Sequence, residues 1–223
     1  MRLHRPGVRT RLRAGARRLR EAPHWLELRR LGRSRPVEYR DYLATQLKRT
    51  LSKSETDPGA GAVRLIDEVV EAAEAGGSVL CIGCRNTLEL DRFHARGFEH
   101  VVGIDLFSQR EDILVMDMHD MSFEDDSFDV VYASHSLEHS YDVERVASEV
   151  VRVGRREGVV GIEVPVRTQQ SAADRVVFSG LDHLRGVFGS HVGDELLGEE
   201  AAPNTATNEQ GTDVARLVFR LQK

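Results

Sequence analysis

The chain has 223 residues, of which 40% are hydrophobic, with 19 Gly and 6 Pro. This composition is typical of a globular protein rather than a disordered or fibrous one, and the length suits one α/β domain with an appendage. The apolar runs are far too short for a membrane span, no secretory segment is evident and only two cysteines are present, so we expect a cytoplasmic location.

The net charge of −5 is divided unevenly along the chain. Residues 1–35 contain twelve Arg and two acidic residues, whereas the remainder contains 19 basic and 34 acidic side chains. Apolar residues at positions 8, 12, 16 and 19 lie on one face of a predicted helix. The sequence therefore predicts a basic, helical N-terminal extension over residues 1–60. Residues 1–35 could contact an anionic lipid or nucleic-acid surface, or else the protein's own acidic body.

The later elements follow in chain order. A helix is predicted over residues 39–51, a polar break over 54–61, and a second helix that ends at Gly76 and Gly77. From Ser78 onward, short apolar runs alternate with helical patterns, which indicates βαβ units and a parallel sheet. The predicted strands cover residues 78–82, 100–104, 112–116, 128–133, 159–164, 192–197 and 214–221. The predicted helices cover residues 87–96, 143–153 and 181–188.

Three candidate site residues follow predicted strands, where an open parallel sheet binds its ligands. Gly83 follows the first strand and would let backbone and ligand approach closely, although a single glycine here is often only a turn. Asp105 ends the second strand 22 residues later, a spacing at which an acid can bind ribose hydroxyls, although it could equally be a helix cap or a surface acid. Asp117 follows the third strand and could meet an adenine amino group.

The segment from Asp117 to Val131, D-M-H-D-M-S-F-E-D-D-S-F-D-V-V, and the sequence S-L-E-H at 136–139 resemble motifs of class I S-adenosylmethionine-dependent methyltransferases. The resemblance covers about residues 78–165 and is to the type 11 group, which includes ubiquinone and menaquinone biosynthesis enzymes. It implies a Rossmann-like, seven-stranded, mostly parallel sheet flanked by helices, with the last strand antiparallel, in a domain over residues 61–223.

The resemblance also implies S-adenosylmethionine as cofactor and assigns residues to its parts. The methionine part would lie near Gly83 and Ser134, and the ribose would be held by Asp105. The adenine would be flanked by Leu106 and contacted by Asp117 and Met118.

The first motif departs from the pattern of the family. An acid usually precedes its glycine turn and two further glycines follow, but this chain has Cys81, Arg85 and Thr87 at those positions, giving a variant Gly-Cys-Arg-Asn turn. The guanidinium of Arg85 offers a planar pair of donors, so we expect it to hold the cofactor carboxylate. The alternative is a salt bridge between Arg85 and Glu89, one helical turn later.

Two further patterns bear on chemistry. Cys81 and Cys84 have a spacing seen in redox and zinc sites, but the first lies inside a predicted buried strand and no second ligand pair is evident. His135 and His139 follow the fourth strand, where either could remove a proton from an acceptor hydroxyl or amine. Alternatively, His139 and the neighbouring Glu138 only shape the loop.

These features predict an enzyme that moves the methyl group of S-adenosylmethionine to an oxygen, nitrogen or carbon atom by in-line displacement. The expected acceptors are small molecules, sugars or lipid-linked compounds. The alternative is a catalytically inactive binding or scaffold protein on the same fold. A nicotinamide enzyme is disfavoured because the chain contains no Gly-x-Gly-x-x-Gly sequence.

Overall fold

The computed structural model describes residues 25–26, 28–52, 60–85, 88–108, 110, 113–167, 169–170, 173–201 and 213–223. The helices are α1 (Val37–Ser52), α2 (Ala60–Ala72), α3 (Glu89–Ala95), α4 (Val143–Val153) and α5 (Leu181–Phe188). The strands are β1 (Ser78–Ile82), β2 (His100–Asp105), β3 (Ile113–Val115), β4 (Phe128–Ser134), β5 (Gly154–Pro165), β6 (Val192–Ala201) and β7 (Val214–Leu221). The predicted basic helix at residues 8–19, and Asn86 and Thr87 of the variant turn, lie outside the described residues.

The described strands form one seven-stranded sheet in the order β3-β2-β1-β4-β5-β7-β6. All neighbouring strands pair in parallel except β7, which is antiparallel to both β5 and β6. The predicted mostly parallel sheet with an antiparallel last strand is therefore confirmed. The strand order reverses between β1 and β4, which is where sheets of this kind place a ligand crevice.

The register aligns three predicted site residues at this reversal. Ile82 of β1 pairs with Ile104 of β2 on one side and with Ala133 of β4 on the other. Along the chain, Gly83 follows Ile82, Asp105 follows Ile104 and Ser134 follows Ala133. These three residues consequently lie side by side at the carboxyl edge of the sheet.

Helices cover both faces of the sheet and bury its apolar side chains. On one face, α4 contributes Val146, Ala147, Val150 and Val153 to the core. Asp142 caps the first turn of this helix, because its Oδ1 accepts a hydrogen bond from the Arg145 amide at 3.0 Å. The other face is covered by α2 and α3. A Cβ at Gly161 of β5 would lie 2.3 Å from Val69, so the packing of α2 on this strand requires glycine.

Helix α1 packs over the loop that follows β2. Its buried side chains form a cluster with that loop, comprising Tyr39, Tyr42, Leu43, Leu47, Leu106 and Phe107. Full burial of a leucine side chain contributes about 1.5–3 kcal/mol, so this contact attaches α1 firmly to the sheet domain. The consequence for the site is that α1 lies next to Leu106, a predicted cofactor contact.

Strand β5 begins five residues earlier than predicted, at Gly154 instead of residue 159. Its first part contains the exposed residues Arg155, Arg156 and Glu157, which give no apolar signal, and the pairing with β4 shifts register between Phe128 and Val130.

Among the described residues, no helix has the length and apolar character needed to cross a bilayer.

Candidate functional site at the strand reversal

The turn after β1 depends on Gly83. Its φ is +73°, and a Cβ at this position would lie 2.4 Å from the Cβ of Ser136. Ser136, in the loop after β4, donates a hydrogen bond from Oγ to the carbonyl of Ile82 at 3.0 Å, and the Gly83 amide donates to the carbonyl of Ile104 at 2.8 Å. Glycine therefore lets the loops after β1 and β4 close on one another at the strand reversal.

Arg85 has a left-handed backbone, with φ of +45°, which is uncommon for a residue other than glycine. Its carbonyl accepts a hydrogen bond from Oγ of Ser108 at 2.5 Å, which helps to hold the turn. Burial lowers the pKa of the Arg85 guanidinium, whereas the charge of Asp105 raises it. Glu89, the alternative partner in sequence, is buried and accepts a hydrogen bond from the Tyr132 hydroxyl at 3.2 Å.

Asp105 is the last residue of β2, and the charge of Arg85 acts on its carboxylate. Its Oδ1 accepts a hydrogen bond from the amide of Phe107 at 3.1 Å. Burial raises the pKa of Asp105 to about 6, against the opposing effects of the Phe107 amide and the Arg85 guanidinium. Because burial is not fully compensated by the protein, this carboxylate would be stabilised by further hydrogen-bond donors.

Asp117 is bound by two side chains. Its Oδ1 lies 2.7 Å from Nδ1 of His119 and accepts the His119 amide at 3.0 Å, while its Oδ2 accepts a hydrogen bond from the hydroxyl of Tyr39 on α1. Burial acts to raise the pKa of Asp117, but the hydrogen bonds from His119 and Tyr39 outweigh it, and the pKa is lowered. The neighbouring Met118 is buried in the core cluster on the α4 face of the sheet.

His119 has a defined hydrogen-bonding pattern. Its Nε2 accepts the amides of Tyr141 and Asp142 at 3.0 and 3.2 Å, so Nδ1 carries the proton that is directed at Asp117. This arrangement ties the loop after β3 to the start of α4.

A buried network of charges follows Ser134. Its Oγ donates to Glu163 Oε1 at 3.3 Å, and Nε2 of His135 lies 3.0 Å from the same oxygen. Glu163, on β5, is 1% exposed and also pairs with the fully buried Arg216 of β7, which in turn contacts Glu199 at 2.8 Å. Burial opposes protonation of His135, but the carboxylates of Glu138 and Glu163 outweigh it and raise its pKa to about 9.

His139 lies near the same carboxylate oxygen of Glu138, Oε1, as His135 does. Its Nδ1 is 2.9 Å from Oδ1 of Asp174, and its Nε2 is 3.4 Å from Oε1 of Glu138. Within the described part of the chain, this Nε2 has no hydrogen-bond partner. The two predicted histidines thus occupy different environments: His135 lies between two glutamates, and His139 is oriented by an aspartate.

The two cysteines belong to the core. Cys81 and Cys84 are both buried, and Sγ of Cys84 lies 3.6 Å from the carbonyl of Cys81 and 3.7 Å from that of Ile104. Burial raises the pKa of both thiols well above the ordinary value, which disfavours the thiolate that metal binding or redox exchange requires.

Several residues of the site were not identified from sequence. Glu163 offered a detectable signal, because it is an acid within an otherwise apolar strand. Tyr39 and Tyr42 lie three positions apart and share one face of α1, but aromatic residues at this spacing are common in ordinary cores. Asp174 gave no signal, since only the folded chain brings it next to His139.

Residues 80–162 match the model of a family described as a methyltransferase domain. A search of curated protein sequences gives no significant match.

Solved structures share the fold of this chain. The 1,6-didemethyltoxoflavin-N1-methyltransferase of Burkholderia thailandensis, with bound 1,6-didemethyltoxoflavin and S-adenosylhomocysteine, is similar over 100% of this chain and 93% of its own, with a TM-score of 0.58 and 14% identity. The N-methyltransferase NodS of Bradyrhizobium japonicum WM9, in complex with S-adenosylhomocysteine, covers 73% of this chain and 86% of its own (TM-score 0.53, 15% identity). The cyclase SpnF covers 71% and 80% (TM-score 0.55, 17% identity). At these identities the similarity establishes the fold.

Proposed function

We propose that this chain, whose residues 80–162 match a methyltransferase domain, transfers a methyl group from S-adenosylmethionine to an oxygen, nitrogen or carbon atom of a small-molecule, sugar or lipid-linked acceptor. The domain match and the methyltransferase fold support S-adenosylmethionine as the methyl donor. The observation that carries the proposal is the alignment of Gly83, Asp105 and Ser134 at the point where the strand order reverses.

The residues at this edge fit the cofactor chemically. Asp105 is a half-buried carboxylate with a raised pKa, which hydrogen bonds from the ribose hydroxyls would stabilise. Arg85, next to Asp105, offers a guanidinium for the carboxylate of the methionine part, near Gly83 and Ser134. The adenine would lie against Leu106, with Asp117 and Met118 at its polar edge.

The cofactor supplies a methyl group that its sulfonium has already activated. The protein therefore has to hold donor and acceptor in line and exclude water, and no residue must act as a covalent nucleophile. The packing of α1 on Leu106 and Phe107 covers one side of the edge and supports the exclusion of water.

An acceptor hydroxyl or amine must lose a proton, and His139 and His135 are the two candidate bases. The geometry favours His139, because Asp174 orients its Nδ1 side, while its Nε2 lies 3.4 Å from Glu138 and makes no hydrogen bond in the described part of the chain. His135, with a pKa of about 9, holds its proton at neutral pH and is better suited to stabilise negative charge.

One observation favours the alternative of an inactive binding protein on this fold. The space next to Gly83, where a cofactor could approach the backbone, is occupied by Ser136 of the protein itself. The turn that follows has Arg85 where the family usually has a glycine. An inactive scaffold would bind S-adenosylhomocysteine weakly or not at all.

The test is calorimetric titration of the full chain with S-adenosylhomocysteine. We expect a saturable binding isotherm, and we expect Asp105→Ala to weaken it by about 1.5–3 kcal/mol, the contribution of hydrogen bonds to a charged group. Asp91→Ala, an acid on the exposed side of α3, serves as the control and should leave the affinity unchanged. Absence of heat and of a thermal shift at millimolar ligand in the wild type would refute the proposal.

A further inference from the structure

The hydroxyl of Tyr42 is a buried polar group without a partner. Tyr42 lies on α1, and its side chain is 2% exposed. Its hydroxyl oxygen has no hydrogen-bond partner among the residues that the structure describes. An unpaired buried hydroxyl destabilises a folded protein, so a group in this state indicates an external partner or a functional role.

The surroundings of this hydroxyl place it at the candidate site. Burial is the main cause that raises the pKa of Tyr42 far above its usual value, and the charges of Asp117 and then Asp105 raise it further. The phenol therefore keeps its proton and can donate a hydrogen bond. Tyr39, one helical turn earlier, already donates to Asp117.

The packing of α1 fixes the ring in this position. Tyr42 shares a cluster with Leu106, and its ring centroid is 5.3 Å from that of Tyr39 and 5.9 Å from that of His119. The guanidinium of Arg175 lies 6.0 Å from the ring centroid. The ring is thus held on several sides, next to Leu106 in the loop that follows β2 and next to His119 in the loop that follows β3.

We propose that the Tyr42 hydroxyl donates a hydrogen bond to the nucleoside part of the cofactor, so that α1 forms one wall of the cofactor site. This inference rests on the proposed function, because it assumes that Asp105 and Asp117 bind the ribose and adenine. Ribose oxygens and adenine ring nitrogens are suitable acceptors for a phenol. Tyr42 lies outside residues 80–162, so the matched methyltransferase domain does not include it.

The experiment compares Tyr42→Phe with the wild type in the full chain. The variant should bind both S-adenosylhomocysteine and adenosine about threefold to tenfold more weakly by calorimetry, which corresponds to one hydrogen bond. Its midpoint of thermal unfolding without ligand should be unchanged or higher, because the substitution removes an unpaired buried hydroxyl. A hydroxyl that served only the fold would lower this midpoint.

Tyr141→Phe is the matched control. Tyr141 belongs to the same group of rings, 5.8 Å from Tyr42, but it is 36% exposed. Its variant should bind both ligands as the wild type does. Affinities of Tyr42→Phe within twofold of the wild type, or a loss of affinity that Tyr141→Phe shares, would overturn the inference. If the wild type bound neither ligand, the proposed function would fail, and this inference with it.

Discussion

His135 is held between two buried glutamates, and this makes its protonation part of the stability of the fold. Its backbone is left-handed, with φ of +51°, and its amide donates to the carbonyl of Glu163 at 3.0 Å. The side chain faces the carboxylates of Glu138 and Glu163, which are themselves buried. Removing the positive charge would take one ionic partner away from each carboxylate and leave Glu163 paired with Arg216.

We therefore predict that stability decreases at alkaline pH. The folded pKa of His135 is about 9, above its ordinary value of 6.5, so its contribution is complete below pH 6.5 and is lost as the pH rises through 9. The loss should be on the order of 1–3 kcal/mol in urea unfolding between pH 6.5 and 10. His135→Asn, which suits the left-handed backbone, should show a smaller decrease over this range. Parallel curves for both proteins would contradict the assignment.

Arg85 provides a second prediction at the scale of a single residue. If its guanidinium binds the cofactor carboxylate, Arg85→Ala should weaken binding of S-adenosylhomocysteine tenfold to a hundredfold, following from about 1.5–3 kcal/mol for a charged hydrogen bond. Adenosine lacks this carboxylate and should bind the variant and the wild type equally. Arg96→Ala, beyond the end of α3, is the control. A variant that keeps its affinity within twofold would show that Arg85 is only structural.

The sequence predicted which candidate residues follow strands, because strand ends are visible in the pattern of apolar runs. Gly83, Asp105 and Ser134 lie together for this reason. It did not identify their partners, since Tyr42 and Asp174 come from segments far away in the chain. Which of two histidines is the better base also depended on such partners.

At the scale of elements, helix α1 was predicted as part of an extension over residues 1–60. The structure packs this helix on the loop after β2, with Leu43 and Leu47 fully buried. Its stability is therefore coupled to that of the sheet domain.

We predict that Leu47→Ala lowers the free energy of unfolding of the whole chain by about 2–5 kcal/mol, the usual effect of such a change in a core. The measurement is urea unfolding followed by far-UV circular dichroism. Val37→Ala, at the exposed start of the same helix, should change stability by less than about 0.5 kcal/mol. A separate early transition for α1, with the main transition unchanged, would show that the helix is an independent appendage.

The elements that the sequence predicted best have a strong and regular apolar pattern. The predicted bounds of β1, α4, α5 and β7 agree with the observed ones. Strand β5 was predicted too short because its exposed first part is charged. In the structure, pairing with β4 extends the strand to Gly154, and this pairing is not visible in the sequence.

At the scale of the whole molecule, the positive charge of the N-terminus suggests contact with an anionic surface. Residues 1–24 contain eight Arg and one acidic residue, Glu21. Arg35 is already engaged with the sheet domain, since it contacts Asp120 at 3.1 Å and lies 5.2 Å from the ring centroid of Tyr39.

We predict that removal of residues 1–24 reduces retention on heparin and on vesicles rich in anionic lipid, while S-adenosylhomocysteine binding stays unchanged. The attraction is electrostatic, so retention of the full chain should fall as salt rises. Neutral vesicles are the control. Equal retention of both proteins at low salt would remove the hypothesis of an anionic surface.

The position of β7 in the sheet has a consequence for synthesis. This strand lies between β5 and β6 and supplies Arg216 to Glu163, yet it follows both neighbours in the chain. At about 5–20 residues per second, the ribosome needs roughly 3–11 s to add the residues between the end of β5 and the end of β7. During this interval the apolar strand β5 has an open edge, and Glu163 lacks its arginine. A nascent chain of this protein therefore has a built-in period in which chaperone binding or aggregation competes with completion of the sheet.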